Sequence, residues 1–482
     1  MLLRASIGIF FAATIAAGAG PYYQIEDLLI GSTLSSSRDE DWKPADGLAL
    51  EASALATLDG DRLAVAIRKG EVWLLDGVYG DPKGVRYSRF ASGLDEPLGL
   101  LRRGDALILA QRSELTELRD RDGDGVADEY LTLGKGWNVS GAYHGYAYGP
   151  AEDGDGDLWV TLNLDMGDGS DNAAPWRGWA VRVRPDGTVE PMCAGMRSPC
   201  GLGRNAAGDL FFTDQQGNWI PTNSLHHLRR GAYYGNPQGM APAALPGSPV
   251  APLAAEVDGV PYPEALRKLP QLVAPAVWFP YGKIGRSRTG ITLEDTGGSF
   301  GPYGGQLFVG DFTNSRVDRV FLEKVGGEYQ GACFPFLDGF ASAVMATAFG
   351  RDGSMFVGMT NRGWSSLGSA SYGLQRVRWG GETPFEMLQI RALPDGFEIV
   401  FTRPADRASA GDPDSYRMAS YTYPLHSRYG GDEIQSREVP VSSARVSADG
   451  RSVRLRCDGL RAFFVHELHC PGVRSERGEK PW

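Results

Sequence analysis

Three polar segments of this sequence carry side chains that could bind or transform a small ligand, and the first contains a histidine. His144 stands in YHGYAYGPAEDGDGDLWVTLN, residues 143–163, directly ahead of a short apolar strand. A neutral imidazole at the mouth of a channel can take a proton from a substrate hydroxyl. A loop histidine bonded to backbone is an equally good interpretation of the sequence alone. His144 is our candidate for a catalytic base.

A second segment places an arginine and several planar polar groups around another apolar strand. Arg197 lies in AGMRSPCGLGRN, before that strand, where an arginine could clamp a carboxylate or polarise a sugar oxygen. Beyond the strand, TDQQGNW offers Asp214 and Gln215 beside Trp219, and planar polar groups next to an aromatic face suit carbohydrates. A surface arginine that caps a turn, and ordinary hydrogen bonds within the scaffold, are the structural alternatives.

The third segment, WFPYGKIGRSRTGI, concentrates positive charge in a chain that is otherwise acidic. Tyr281, Lys283, Arg286 and Arg288 would form a local cationic patch there. Such a local inversion of charge favours an anionic ligand or cofactor. A solvated basic loop explains the same residues equally well, so both interpretations stay open.

An acidic segment, RDRDGDGVADEY, has the spacing of a calcium-binding loop. Asp120, Asp122, Asp124 and Asp128 fall at the first, third, fifth and ninth positions of such a loop, which binds the ion through oxygen ligands. The twelfth position is Leu131, where an EF-hand has a bidentate glutamate, so the spacing fits a short DxDxDG loop better. We predict a structural calcium ion here; a solvated acidic hairpin turn is the alternative.

A repeated strand pattern indicates the scaffold that positions these segments. A polar Gly/Asp turn followed by a short apolar strand returns six times, with the strands near Leu63, Leu107, Leu158, Leu210, Leu307 and Met355. A unit of this kind repeated roughly every 40–50 residues is typical of a β-propeller. We predict six blades. The interval from Leu210 to Leu307 is roughly twice the others and holds either an insertion or a seventh blade.

Propeller geometry predicts where functional residues lie. The loops that enter the inner strands gather at one end of the central channel. Ligand sites favour such concave mouths, where polar groups converge from several loops. We therefore expect the informative side chains just before or just after each apolar strand.

Composition supports an all-β protein that is not built to bind nucleic acid. The chain has 482 residues, of which 65 are glycine and 30 are proline, and this favours many turns and short strands over helices. The net charge is −11 and there is no long basic run. Both features argue against nucleic acid as the main partner.

The two ends of the chain differ from the repeated part. Residues 1–20 resemble an export signal, with Arg4 ahead of an apolar run and small residues after it; a retained N-terminal anchor ranks second. We assign residues 21–382 to the propeller and predict a secreted or periplasmic protein. Residues 383–482 show another pattern of alternating strands, which fits an immunoglobulin-like or fibronectin-like β-sandwich.

The segments around His144 and Arg197 together resemble the soluble quinoprotein glucose/sorbosone dehydrogenases. YHGYAYGPAEDGDGDLWVTLN is similar to that family's His-x-Gly, Gly-Pro-x and Leu-x-Val segment, and GMRSPCGLGRNAAGDLFFTDQQGNW to a second motif of the family. The likeness extends over most of residues 50–380. It implies a six-bladed fold that binds pyrroloquinoline quinone and calcium, with His144 as the catalytic base and Arg197 in contact with the quinone. The layout also resembles the propeller module of large secreted proteins of planctomycete-type bacteria that are described as membrane-bound dehydrogenases.

The chain departs from that family at two cationic positions. Where the family has a lysine after the strand, this chain reads LFVGDFTNS, with Asn314 in the corresponding loop. Where the family has a Gly-Arg-x-Arg-Asp stretch, this chain has Ala343 and Met345. Lys283, Arg286 and Arg288 are the cations that could replace the missing anchors of an anionic quinone.

Three functions follow as expectations. The first is a secreted sugar or polyol dehydrogenase in which His144 removes a proton while hydride passes to a quinone near Arg197. The second is a non-catalytic propeller that binds a glycan or a protein, docked by its sandwich to a larger surface complex. The third is a hydrolase or lyase that uses His144 with the Lys283 and Arg286 patch. In each case the expected partner is a sugar or glycan, with an electron-acceptor or surface-complex protein as a further one.

Overall fold

A computed structural model of the chain describes residues 22–31, 49–139, 141–166 and 174–482. The predicted export signal, residues 1–20, lies outside these residues. Strands dominate the described part, which confirms the all-β prediction. Its helices are α1 (Tyr262–Lys268), α2 (Arg407–Ala410) and the 3-10 turns Pro82–Gly84, Ala241–Ala244 and Pro413–Ser415. Within the described residues, no helix has the length and apolar character needed to cross a membrane.

Six four-stranded antiparallel sheets follow one another in the described chain up to Trp379, and the first strand, β1 (Tyr23–Gly31), belongs to the last of them. The first sheet consists of β2 (Ala52–Thr57), β3 (Arg62–Ile67), β4 (Glu71–Asp76) and β5 (Arg86–Ala91). The second consists of β6 (Leu100–Arg103), β7 (Ala106–Ala110), β8 (Glu114–Arg119) and β9 (Glu129–Lys135). The third consists of β10 (Ala147–Glu152), β11 (Leu158–Leu162), β12 (Trp179–Val183) and β13 (Val189–Ala194). The fourth consists of β14 (Gly201–Arg204), β15 (Leu210–Asp214), β16 (Asn223–His227) and, beyond the short β17 (Val260–Pro261), β18 (Val277–Phe279). The last two consist of β19 (Arg288–Leu293), β20 (Leu307–Asp311), β21 (Arg316–Val325) and β22 (Glu328–Leu337), and of β23 (Val344–Phe349), β24 (Met355–Thr360) and β25 (Tyr372–Trp379) with β1.

These sheets are arranged radially in a closed ring. The first strand of each sheet contacts the first strand of the next, in the order β2, β6, β10, β14, β19, β23 and back to β2. The N-terminal strand completes the last sheet, because β1 pairs with β25 from Tyr23 opposite Trp379 to Gly31 opposite Tyr372. This is the predicted propeller architecture.

Each predicted repeat is the second strand of a sheet, and its burial explains its composition. Residues 63–67 of β3, for example, are all buried because the sheet packs against a neighbour on both faces. A short, continuously apolar run bounded by turn signals is the pattern expected of such a strand. The turns ahead of β11 and β15 use Gly156 at φ 83° and Gly208 at φ 87°, a backbone region that favours glycine.

Residues after Trp379 form two further antiparallel sheets around their own core. One sheet contains β26 (Met387–Leu393), β27 (Gly396–Phe401), β31 (Val441–Val446) and β32 (Ser452–Cys457); the other contains β28 (Arg417–Thr422), β30 (Ile434–Glu438) and β33 (Val465–His469), while the short β29 (Pro424–Leu425) lies outside both. Ile399, Phe401, Met418 and Leu455 belong to the apolar cluster of this part of the chain. We call it the C-terminal module; its immunoglobulin-like or fibronectin-like type stays a prediction.

The long interval between Leu210 and Leu307 contains an insertion in the fourth sheet. Residues 228–276 separate β16 from β18 and include α1. The insertion packs against the C-terminal module, because β17 pairs with β29 through Val260 opposite Leu425. The C-terminal module therefore sits beside the fourth sheet, which places its loops next to the segments that follow β15.

Candidate functional site

A cavity of about 450 Å³ opens at one end of the ring. Several residues that line it come directly after a second strand: Arg68, Asn163, Gln215 and Phe312. Others come one or two residues ahead of a first strand: Leu98, Tyr146, Cys200 and Ser287. The cavity therefore lies at the end of the ring where first strands begin and second strands end.

His144 lines this cavity and is held in one tautomer. Its Nδ1 lies 2.9 Å from the carbonyl oxygen of Met166, and because a carbonyl only accepts, Nδ1 carries the hydrogen. Nε2 then has the lone pair, and no described residue donates a hydrogen bond to it. The half-buried ring lies 5.8 Å from the ring of Trp364 and 5.3 Å from that of Tyr143. An imidazole in this state can accept a proton at Nε2.

Arg197 also lines the cavity, and the Asp214 side chain fixes the backbone of the Arg197 loop by hydrogen bonds. The buried Asp214 carboxylate accepts hydrogen bonds from the backbone N–H groups of Arg197 at 2.8 Å and Ser198 at 2.7 Å. Burial raises the pKa of Asp214 to about 6, although these N–H groups favour the ionised form. Asp214 is not among the residues that line the cavity; in the structure it positions the Arg197 loop, and a direct contact with ligand stays a prediction. Gln215, its neighbour, does line the cavity.

The Arg197 guanidinium is sandwiched between the backbone of one loop and a ring of another. A Cβ atom at Gly217 would stand 1.9 Å from Arg197 Nε, so glycine is needed there for the side chain to lie flat. On the other side, Arg197 Cζ lies 5.2 Å from the centre of the Tyr429 ring. Arg197 Nη1 donates to the carbonyl oxygen of Gln216 at 3.2 Å, while its buried Nε has no hydrogen-bond partner among the described residues.

The cationic segment divides between the cavity and the scaffold. Tyr281 and Arg286 line the cavity, with Arg286 Nε donating to the Tyr281 hydroxyl at 3.1 Å. Lys283 does not line it: its Nζ lies 2.9 Å from Glu433 and 2.7 Å from Glu467, both in the C-terminal module. Two carboxylates of the neighbouring module therefore pair with Lys283, and its role in binding a ligand stays a prediction.

Arg288 and Asn314 also lie outside the cavity lining, next to carboxylates of the scaffold. Arg288 begins β19 and is fully buried, 2.5 Å from Asp318 and 3.7 Å from Asp311. The Asn314 backbone N–H donates to Asp311 at 2.9 Å, and its side-chain amide lies 3.4 Å from the same carboxylate. Its neighbour Thr313 lines the cavity instead. In both cases a carboxylate brought close by the fold takes up the polar group, and a ligand contact by either residue stays a prediction.

Sequence reasoning missed Arg68 and Asn163, which line the cavity. Arg68 Nη2 lies 2.8 Å from Glu96 and donates to the Tyr146 hydroxyl at 3.1 Å, while its buried Nε has no hydrogen-bond partner among the described residues. Asn163 is buried, and its Oδ1 likewise has no partner there. A signal existed: Arg68 and Asn163 each stand five residues after the leading apolar residue of a repeat, as Gln215 does.

The cavity carries positive charge in an acidic protein. Arg68, Arg197 and Arg286 line it, whereas no aspartate or glutamate is found among the described residues that do so. Of these three arginines, Arg68 is paired with Glu96. The chain as a whole has a net charge of −11. This local inversion favours an anionic ligand at the site.

The acidic loop between β8 and β9 brings three of its four predicted ligands together. Carboxylate oxygens of Asp120, Asp122 and Asp124 lie within 4.8 Å of one another. Asp128 instead accepts a hydrogen bond at 2.7 Å from the backbone N–H of Arg121. The loop is outside the cavity lining, so any ion held there would have a structural role.

Comparison with known protein families gives a match over much of the propeller. The family described as "Domain of unknown function (DUF7133)" matches residues 58–331, more than half of the chain. No curated protein matches the sequence.

Solved structures of sugar dehydrogenases are similar to the chain. An oxidoreductase described as a glucose dehydrogenase, from Thermus thermophilus, is 18% identical; the match covers 74% of this chain and 99% of that one, with a TM-score of 0.51. Two further structures described as glucose dehydrogenase are 17% and 16% identical, cover 74% of this chain and 99% and 100% of their own, and also have TM-scores of 0.51. At this identity the likeness shows the fold: the chain has a glucose dehydrogenase-like propeller.

Proposed function

The chain belongs to the DUF7133 family and has the propeller fold of glucose dehydrogenases, and on this basis we propose that it oxidises a hydroxyl group of a sugar or polyol in the described cavity. One observation carries the proposal. His144, whose Nε2 is left free to accept a proton, lines the same cavity as Arg68, Arg197 and Arg286. A base next to an anion-binding surface is the arrangement that oxidation of a neutral alcohol by an anionic acceptor requires.

The role of His144 follows from its hydrogen bond. The Met166 carbonyl at 2.9 Å holds the ring in one tautomer and orientation. Nε2 would take the proton of the substrate hydroxyl, so that the oxygen can form a carbonyl group when the adjacent carbon loses its hydride. The same carbonyl stabilises the imidazolium that results, because it continues to accept from Nδ1–H.

We propose pyrroloquinoline quinone as the acceptor, because the cavity offers cations for its carboxylates. When bound, it supplies a two-electron acceptor for hydride. Its carboxylates would be held by Arg68 and Arg197, whose buried Nε atoms have no hydrogen-bond partner among the described residues, and by the exposed Arg286. These arginines replace the cations that the chain lacks at Asn314 and Met345.

A titration tests both the quinone and the base. We expect purified protein to bind pyrroloquinoline quinone, with a change in quinone absorbance, and to reduce a dye when sugars are added. His144→Ala should lower turnover by about 10²–10⁴-fold while leaving quinone affinity unchanged. His469→Ala, a histidine of the C-terminal module outside the cavity lining, is the matched control. Absence of quinone binding at high micromolar concentration, or full turnover by His144→Ala, would refute the proposal.

A second candidate, a non-catalytic glycan-binding propeller, is favoured by exposed aromatic rings at the cavity. Tyr281, Trp364 and Tyr429 all line it and are exposed. This function predicts retention on a glycan matrix without turnover under any condition. A hydrolase or lyase that relies on Lys283 is disfavoured, since that amine is neutralised by Glu433 and Glu467.

Four structural proposals accompany the activity. We propose that the six sheets before Trp379 are six blades, that residues 383–482 form a separate sandwich, and that residues 1–20 direct export. We also propose that Asp120, Asp122 and Asp124 hold a structural calcium ion. Calcium should raise the thermal unfolding midpoint of the wild type and have no effect on Asp122→Asn. Mass spectrometry of protein secreted by a bacterial host should show loss of the N-terminal segment.

A further inference from the structure

The mouth of the cavity carries three exposed aromatic rings that come from three separate parts of the chain. Tyr281 follows β18 and is 45% exposed, Trp364 follows β24 and is 46% exposed, and Tyr429 of the C-terminal module is 62% exposed. Large apolar rings that remain exposed together around a cavity mark a surface on which a ligand is bound.

Each ring is fixed from behind by a residue of the cavity. Arg197 lies under Tyr429 with 5.2 Å between its Cζ and the ring centre. Arg286 lies 5.6 Å from the centre of the Tyr281 ring and also donates to its hydroxyl. The Trp364 ring rests against His144 at 5.8 Å. Because each ring already has a packing partner, it has less freedom to lose when a ligand stacks on it.

The Tyr429 loop is attached firmly to the propeller. The backbone N–H of Trp219 donates to the carbonyl oxygen of His426 at 2.9 Å, and that of Gly430 to Gly217 at 3.0 Å. The side-chain amide of Asn218 donates to the carbonyl oxygen of Ser427 at 2.8 Å. Because these bonds flank Tyr429 on both sides, the C-terminal module supplies a permanent part of the cavity wall.

We propose that this mouth is a subsite for further sugar units, so that the ligand is an oligosaccharide, and that Tyr429 determines this specificity. The proposal rests on the proposed function for what happens at His144, but binding at the mouth requires no reaction. Pyranose rings present apolar C–H faces that stack on aromatic side chains, while their hydroxyl groups bond to planar polar groups such as Gln215 and Gln216 in the cavity. One sugar unit would reach His144, and a second would cover the exposed face of Tyr429.

Binding titrations without quinone test this directly. The probes are glucose, cellobiose, cellotriose and cellotetraose, with maltose and maltotriose as a second linkage, titrated into the full chain by calorimetry. We expect the affinity of one linkage series to rise at least tenfold from one unit to three. One stacked ring is enough for about a tenfold gain. Tyr429→Ala should remove about tenfold of the affinity for the trisaccharide and reduce the affinity for glucose far less, whereas Tyr429→Phe should retain the affinity for both.

Phe463 offers a matched control for these variants. It is also 62% exposed and belongs to the C-terminal module, but it does not line the cavity. Phe463→Ala should leave the whole series unchanged. The proposal is overturned by equal affinity for all chain lengths, by no binding of any probe, or by an equal loss for glucose and trisaccharide in Tyr429→Ala. That last result would mean that Tyr429 only positions Arg197. Because no quinone is present, a failure of quinone binding leaves this outcome intact.

Discussion

Replacing Arg288 by methionine should lower the free energy of unfolding by about 3 kcal/mol, because the substitution leaves buried carboxylates without their cation. Arg288 is fully buried and lies 2.5 Å from Asp318 and 3.7 Å from Asp311. Its guanidinium also packs over the Phe279 ring at 4.3 Å, and a methionine side chain can replace this apolar contact. The loss is therefore electrostatic.

The size of the expected stability loss depends on the partners that each carboxylate keeps in the variant. Removing one partner of a buried ion pair costs about 3–5 kcal/mol. Asp318 keeps Arg316 at 2.5 Å, and Asp311 keeps the backbone N–H groups of Arg286 at 2.6 Å and Asn314 at 2.9 Å. These remaining partners place the expected loss at the lower end of the range.

The loss should also depend on pH. Burial raises the pKa of Asp311 to about 6, and Arg288 opposes the rise. Without Arg288 the folded-state pKa rises further, so the folded variant binds a proton that the unfolded chain releases. Its stability then falls as pH increases through that higher pKa. The deficit of Arg288→Met relative to wild type should widen as the pH rises above about 6.

Chemical denaturation followed by tryptophan fluorescence measures the free energy of unfolding of Arg288→Met, and Arg286→Met is the control variant. Arg286 stands two residues away on the same segment, but it is exposed and lines the cavity. Its replacement should change the free energy of unfolding by less than about 0.5 kcal/mol and instead weaken binding of an anionic ligand. The reasoning fails if Arg288→Met costs less than about 1 kcal/mol, or if both variants lose the same stability.

Three other predictions concern residues around the site and the module junction. Gly217→Ala should displace the Arg197 guanidinium, since the new Cβ would stand 1.9 Å from its Nε. The variant should bind ligand more weakly while its thermal unfolding midpoint stays nearly unchanged, and a wild-type affinity would contradict this. The folded-state pKa of Asp214 is raised to about 6. The difference in unfolding free energy between wild type and Asp214→Asn should therefore shrink as the pH rises from about 4 to 6. Thermal unfolding measures this difference across the range, and a difference that grows with pH would contradict the reasoning. Glu386→Ala removes the carboxylate that lies 2.8 Å from the buried Arg319 of the propeller. The C-terminal module should then be cleaved faster in limited proteolysis, and an unchanged digestion pattern would show that this ion pair does not hold the module in place.

Repeats and local motifs were readable from the sequence because they depend on neighbouring residues. The turn and the apolar run that follows it predicted the second strand of all six sheets before Trp379, from Leu63 to Met355. The position of such strands in a ring predicted that His144 and Arg197 would approach one cavity. The same regularity, five residues beyond Leu63, would have pointed to Arg68.

The charged side chains of one segment have different environments that the segment itself does not indicate. Lys283, Arg286 and Arg288 lie within a few residues of one another, yet only Arg286 lines the cavity. Lys283 faces carboxylates of the C-terminal module, and Arg288 is buried beside Asp318. These partners are distant in sequence or on another strand, so the pattern of the segment cannot reveal them.

The amino-acid sequence alone was enough to predict the scaffold and the end of the ring where polar loops converge. Those properties follow from turns, apolar runs and repeat length, all of which are local. Folding in three dimensions determines which polar groups are neutralised and which are left free, and it brings Tyr429 of the C-terminal module onto Arg197 at the cavity. The physical reason is that burial and charge pairing depend on contacts between segments that are far apart in the sequence. A local sequence pattern contains no information about such contacts.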